Sequence, residues 1–187
     1  MSDHAKLIAV TNRTLCAGDY LAQLEKICAV HPASLILREK DLSQDAYAAL
    51  AARVLQLCAR YDVQCFLHSH ADAALALGCK NIHFSLPGLR EHASRLDGFQ
   101  RMSVSCHSVE DVIEAARLGA TQVLLGNIYE TDCKKGLPGK GLRLLSDACA
   151  AVSIPVFAIG GVTPERLPEL LEAGAAGGCM MSGFMCM

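Results

Sequence analysis

Ile154-Pro155-Val156-Phe157-Ala158-Ile159-Gly160-Gly161 is the stretch on which the reading of the fold turns. Ile154 to Ile159 is apolar without a break, too short to span a bilayer and too continuous for a strand with one wet face. It predicts a parallel strand buried on both faces. Pro155 falls at the strand's start, where a missing N–H is tolerated. Gly160 and Gly161 lack Cβ atoms and can offer their N–H groups to an anion. Thr163-Pro164-Glu165 then predicts an N-cap, a proline in the first turn and an acidic helix start. Strand, glycine turn and capped helix together describe a phosphate site.

Outward from this unit the same pattern recurs. Strands are predicted at residues 6–10, 34–37, 64–67, 81–84, 102–105, 122–125, 155–159 and 178–181. Helices are predicted between them at 19–30, 44–61, 71–78, 87–96, 109–118, 142–152 and 164–173, with Ser43 and Ser108 as caps. Parallel β/α units repeated eight times predict an α/β chain closed as a (β/α)8 TIM barrel. An open doubly wound sheet is the alternative, but it would leave two unpaired edges. Only Phe184 to Met187 follow the strand-eight turn Ser182-Gly183, so the last helix is truncated or its place is covered by a partner.

The chain has 187 residues, 52% of them hydrophobic and 19% charged, enough for one domain spanning 1–187 with a sizeable core. A net charge of −2 and the absence of a long basic run argue against nucleic acid. No apolar run approaches the length of a membrane span, and the first six residues carry no signal-peptide pattern, so a cytoplasmic protein is expected. Ten cysteines form no C-x-x-C pair and read as small core hydrophobes rather than zinc ligands. The methionines at 180, 181, 185 and 187 suit a core or leave apolar surface for a homo-oligomer.

In a barrel of this kind, chemistry gathers at the C-terminal ends of the strands. Arg38, Glu39 and Lys40 follow strand two, His68, Ser69 and His70 strand three, and Ser105 and His107 end strand five. Lys134 and Lys135 lie in the long loop after strand six, Gly160 and Gly161 follow strand seven, and Ser182 and Gly183 follow strand eight. The small residues after strands seven and eight predict a phosphorylated small-molecule ligand. His107 is the candidate for proton transfer, because an imidazole titrates near neutrality and a strand end aims it into the mouth. Alternation turns Cys106 to the other face, which argues against a Cys–His nucleophile. His68 and His70 share a face at i and i+2 and suggest a metal, but no third ligand is evident; no metal is expected.

The motifs Leu37-Arg38-Glu39-Lys40, Val104-Ser105-Cys106-His107-Ser108, Gly126-Asn127-Ile128-Tyr129, Ile154 to Gly161 and Met181-Ser182-Gly183 make the chain resemble the thiamine phosphate synthase/TenI superfamily of (β/α)8 barrels. Tyr129 to Leu137, Gly139-Lys140-Gly141 and Leu144 to Asp147 look specifically like TenI. The synthases hold magnesium with aspartates after strands three and four. Here those places read His68-Ser69-His70 and Ser85-Leu86-Pro87-Gly88, and Asp72 falls in the following helix. The resemblance therefore implies a thiazole tautomerase that needs no cofactor and aromatises a carboxythiazole phosphate by proton transfer. It implies His107 as acid and base, with Gly160, Gly161, Met181 and Ser182 on the phosphate. Thr131, Cys133 and Lys134 would close over the thiazole phosphate, Arg38 and Lys40 would meet its carboxylate, and Ser105 would complete the substrate-binding set. The alternatives are a thiamine phosphate synthase with a rebuilt site, or a non-catalytic ligand-binding barrel.

Overall fold

The computed structural model describes residues 3–131, 136 and 138–187. Its strands are β1 (Leu7–Val10), β2 (Ser34–Leu37), β3 (Cys65–His68), β4 (Asn81–Ser85), β5 (Arg101–Cys106), β6 (Gln122–Gly126), β7 (Val156–Ile159) and β8 (Gly177–Met180). They form one closed parallel barrel in chain order, so each strand's edge is paired with its neighbour. The seam between β8 and β1 is made by Leu7 opposite Gly178, Ile8 opposite Cys179 and Ala9 opposite Met180. The predicted TIM barrel is therefore the fold, and the open sheet is ruled out by that seam.

The helices are α1 (Tyr20–Ala29), α2 (Gln44–Arg60), α3 (Ala71–Ala76), α4 (Leu86–His92), α5 (Val109–Arg117), α6 (Gly141–Ala151), α7 (Leu167–Glu172) and α8 (Ser182–Met185). Ser43 and Ser108 cap as expected, their hydroxyls accepting from the N–H groups of Ala46 and Asp111. Thr163 differs. It sits at an extended N-cap but caps no N–H, because its hydroxyl is engaged by the Glu165 carboxylate, which it holds below the usual range. A 3₁₀ turn, Pro164–Arg166, precedes α7.

The two-residue period of the strands divides the core into two compartments. One set, including Leu7, Leu35, Leu67, Val104, Cys106, Val123 and Ala158, is buried under the helices. The other, Ile8, Val10, Ile36, Phe66, Leu124 and Cys179, fills the barrel itself. Six of the described cysteines are buried and none is in a disulfide. In β7 the predicted burial on both faces holds only on the helix side. Val156 and Ala158 are buried, whereas Phe157 and Ile159 are half-buried inside the barrel, where Ile159 borders an open cavity.

The short last helix does not leave the barrel wall open. Gly178 presents no side chain outward, and a Cβ there would lie 2.7 Å from Val162 and 3.1 Å from Leu7. Phe184 and Met185 of α8 are buried, and Gln23 of α1 donates to the Phe184 carbonyl at 2.7 Å. The chain thus packs its own short eighth helix against α1. Among the described residues no helix is long and apolar enough to cross a membrane.

Candidate active site

A cavity of about 400 Å³ opens at the C-terminal ends of the strands. Arg38, Lys40, Ser105, His107, Thr131, Gly160, Gly161, Met181 and Ser182 all border it, so the sequence-predicted residues converge on one place. Cys133 and Lys134, assigned to the same site from the sequence, lie outside the described residues. Two neighbours of the predicted set do not reach the cavity. Glu39 is buried beneath it, accepting from Thr11 Oγ1 at 2.6 Å, the Tyr20 hydroxyl at 2.7 Å and the Arg13 N–H at 3.0 Å. It ties the end of β2 to the loop after β1. His70 stacks on the buried Tyr47 ring at 3.9 Å, whereas His68 borders the cavity. The proposed shared face of the two histidines fails because Ser69 between them has φ 65, which breaks the strand's alternation.

His107 is held from several directions. Its Nδ1 lies 2.8 Å from the Gly126 carbonyl, which can only accept, so Nδ1 carries the hydrogen and the neutral ring keeps its lone pair on Nε2. Its backbone N–H donates to Asp111 at 2.7 Å, and its carbonyl accepts from Lys140 Nζ at 2.5 Å. The ring is thereby fixed in the tautomer a general base requires. Cys106 beside it is buried on the helix side, where burial pushes its thiol up to about 12. It is no nucleophile at neutral pH.

The Gly160-Gly161 turn is shaped by the loop after β6. Both residues have positive φ, 93 and 66. A Cβ on Gly160 would meet Asn127 Cβ at 2.5 Å, and one on Gly161 would meet the Glu130 carbonyl at 2.5 Å. Arg166 donates to the Gly161 carbonyl at 2.5 Å and lies 4.2 Å from the centre of the Tyr129 ring. The Tyr129 hydroxyl in turn donates to Glu169 at 2.5 Å. Gly160→Ala should lower stability by about 1–3 kcal/mol through backbone strain, with further loss if Asn127 cannot yield. Urea denaturation measures this, and an unchanged midpoint would show that the turn tolerates a side chain.

The floor of the cavity holds residues the sequence reading did not single out, above all His83 on β4. The His83 ring nitrogens lie 2.8 Å from the hydroxyls of Ser103 and Ser105. Burial, with smaller contributions from His68 and Arg38, keeps His83 well below the ordinary histidine range. His68 is 5.4 Å away ring to ring, and burial, then Arg38 and Lys40, lower it to about 4. Both rings are neutral at pH 7. The signal for His83 was present in the alternation of Asn81-Ile82-His83-Phe84, since a polar residue between two buried apolar ones must face the barrel interior. Among the described residues bordering the cavity there is no aspartate or glutamate, and no group of three or more potential metal ligands exists among them elsewhere.

Comparison with known proteins gives this geometry a lineage. Residues 7–184 match the family described as thiamine monophosphate synthase, TMP-TENI. A putative thiamine-phosphate synthase of Geobacter sulfurreducens is 32% identical, with 96% of this chain and 86% of that protein aligned. A thiamine-phosphate synthase of Salinispora arenicola is 36% identical over 85% of this chain and 79% of its own length. Among solved structures, thiamine phosphate pyrophosphorylase from Pyrococcus furiosus superposes with a TM-score of 0.82 at 24% identity, covering 100% of this chain and 90% of that one. That likeness bears on the fold.

Proposed function

The chain belongs to the thiamine monophosphate synthase family of thiamine-biosynthesis enzymes, and from that membership we propose that its cavity binds thiazole phosphate and performs a proton transfer on it. The observation that carries this reading is an imidazole with a free Nε2 on the rim of a cavity that also holds a glycine turn suited to an anion and has no carboxylate among its described residues. The N–H groups around Gly160, Gly161, Met181 and Ser182 hold the phosphate, and Arg38 and Lys40 meet the substrate's carboxylate. Nε2 of His107 takes the proton from the ring carbon that bears the carboxylate. The resulting imidazolium returns a proton to the exocyclic carbon, which leaves an aromatic thiazole and a neutral histidine.

The synthases of the superfamily use magnesium, and the residues present here do not fit it. Mg²⁺ requires oxygen ligands in near-octahedral array and is usually anchored by carboxylates. Beside the imidazoles and the cations Arg38 and Lys40, the described residues of the cavity offer it only neutral side-chain oxygens, those of Ser85, Ser105, Asn127, Thr131 and Ser182.

The names of the relatives favour a second reading, transfer of a pyrimidine from its diphosphate to thiazole phosphate. The two are separated by one pair of assays. In the first, NMR follows the carboxythiazole phosphate tautomer with and without protein, and the rate should be unaffected by a magnesium chelator. In the second, pyrimidine diphosphate and thiazole phosphate are supplied with magnesium, and no thiamine phosphate should form. Chelator-sensitive coupling with no tautomerisation would replace the first reading by the second.

A further inference from the structure

The acid–base chemistry assigned to His107 leaves His83 unused, although both of its ring nitrogens are hydrogen-bonded. Nδ1 faces Ser103, which is fully buried, and Nε2 faces Ser105, whose side chain borders the cavity. A neutral imidazole has one N–H and one lone pair, whereas a hydroxyl can both give and accept. The three groups therefore form a single chain with two consistent polarities. With the hydrogen on Nε2, His83 donates to Ser105 and frees the Ser105 proton to point into the cavity. With the hydrogen on Nδ1, His83 donates to Ser103 and accepts from Ser105, which then shows the cavity only lone pairs.

We propose that His83 is a positioning residue whose tautomer decides whether Ser105 offers the bound ring a donor or an acceptor, so that the cavity floor recognises an uncharged heterocycle atom. No proton leaves the chain in this role. Burial and the positive charge of Arg38, with His68 alongside, disfavour the imidazolium, which would fix both nitrogens as donors. The aligned bonds of such a chain reinforce one another in the low-dielectric interior. An ammonium or carboxylate at the same place would impose one polarity and carry a charge into a site whose rim already holds Arg38 and Lys40. The ligand's identity as thiazole phosphate rests on the function proposed above; the behaviour of the chain itself does not.

The experiment therefore has two arms. In the ligand-free protein, ring-nitrogen NMR of His83 reports which nitrogen carries the hydrogen. A buried N–H without an acceptor is worse than a lone pair without a donor, so the hydrogen should sit on whichever nitrogen keeps its partner. Ser103→Ala should place it on Nε2, and Ser105→Ala should place it on Nδ1. Identical His83 spectra in the two variants would overturn the proposal. In the second arm, calorimetry measures thiazole phosphate binding to Ser105→Ala, His83→Phe and the double variant. Each single change should weaken binding up to about tenfold, the scale of one lost hydrogen bond. The double variant should be no weaker than the poorer single, because His83 acts through Ser105. Independent, additive losses would reduce His83 to a packing role and overturn the proposal. If the wild-type protein does not bind thiazole phosphate, the ligand assignment fails, and the ring-nitrogen spectra alone decide whether the chain exists.

Discussion

Replacing His107 by Gln should slow tautomerisation by about 10²–10⁴-fold, the usual contribution of a positioned general acid–base group, with thiazole phosphate binding close to that of the wild type. The separation follows from geometry. The imidazole is held through Nδ1 by the Gly126 carbonyl, 2.8 Å away, which leaves Nε2 for the proton transfer proposed above. Gln can imitate the shape and part of the hydrogen bonding, but it has no nitrogen that titrates near neutrality. The anion turn at Gly160 and Gly161 belongs to β7 and its loop, so it is untouched by the change. An NMR time course gives the rate, calorimetry gives the affinity, and a thermal melt shows that the fold persists. A variant that keeps the full rate would remove His107 from the mechanism.

Acid should destabilise the barrel well before most carboxylates are protonated, and the cause is buried histidine. His68 titrates near 4 in the folded chain against an ordinary 6.5, and His83 is displaced in the same direction. Below about 6.5 the unfolded chain therefore binds protons that the folded chain refuses. The associated stability is present above the unfolded value and is lost as pH falls toward the folded one. At about 1.4 kcal/mol per pH unit, His68 alone accounts for roughly 3 kcal/mol across this window. The charges that face it are Arg38, Lys40 and, when protonated, His70. Urea denaturation between pH 7.5 and 4.5 should show the decline, and His68→Asn should flatten it. An equal decline in that variant would assign the acid sensitivity to other groups.

Most of the barrel was legible in the sequence because parallel strands buried between helices are largely apolar, and their runs break at small or polar residues such as Thr11, His68, Ser85 and Gly126 or at the charge of Arg38. The stretch from Ile154 to Gly161 shows both the strength and the limit of that rule. Its strand and turn were placed within one residue, yet Phe157 and Ile159, on the barrel-interior face, are only half-buried. The cavity-lining residues at strand ends were legible because a closed parallel barrel gathers its pocket at the C-terminal ends of the strands. His83 lies within a strand, so it is marked only by the alternation of Asn81 to Phe84 and not by a position after a strand. Glu39 and His70 were misplaced because residues beyond a strand's last pair no longer alternate. Glu39 turns inward to Thr11 and Tyr20, and the positive φ of Ser69 sends His70 to Tyr47.

The β8–β1 seam bears on how the molecule is assembled. Leu7 must find Gly178, so roughly 170 residues of chain have to be looped before those two strands can pair, a slow and entropically costly closure. Until then β1 and β8 are two bare edges of complementary register in the same chain. At low concentration they meet only each other. In a crowded refolding mixture the β8 of one molecule is an equally good match for the β1 of the next, so one seam serves both for closure and for exchange between molecules.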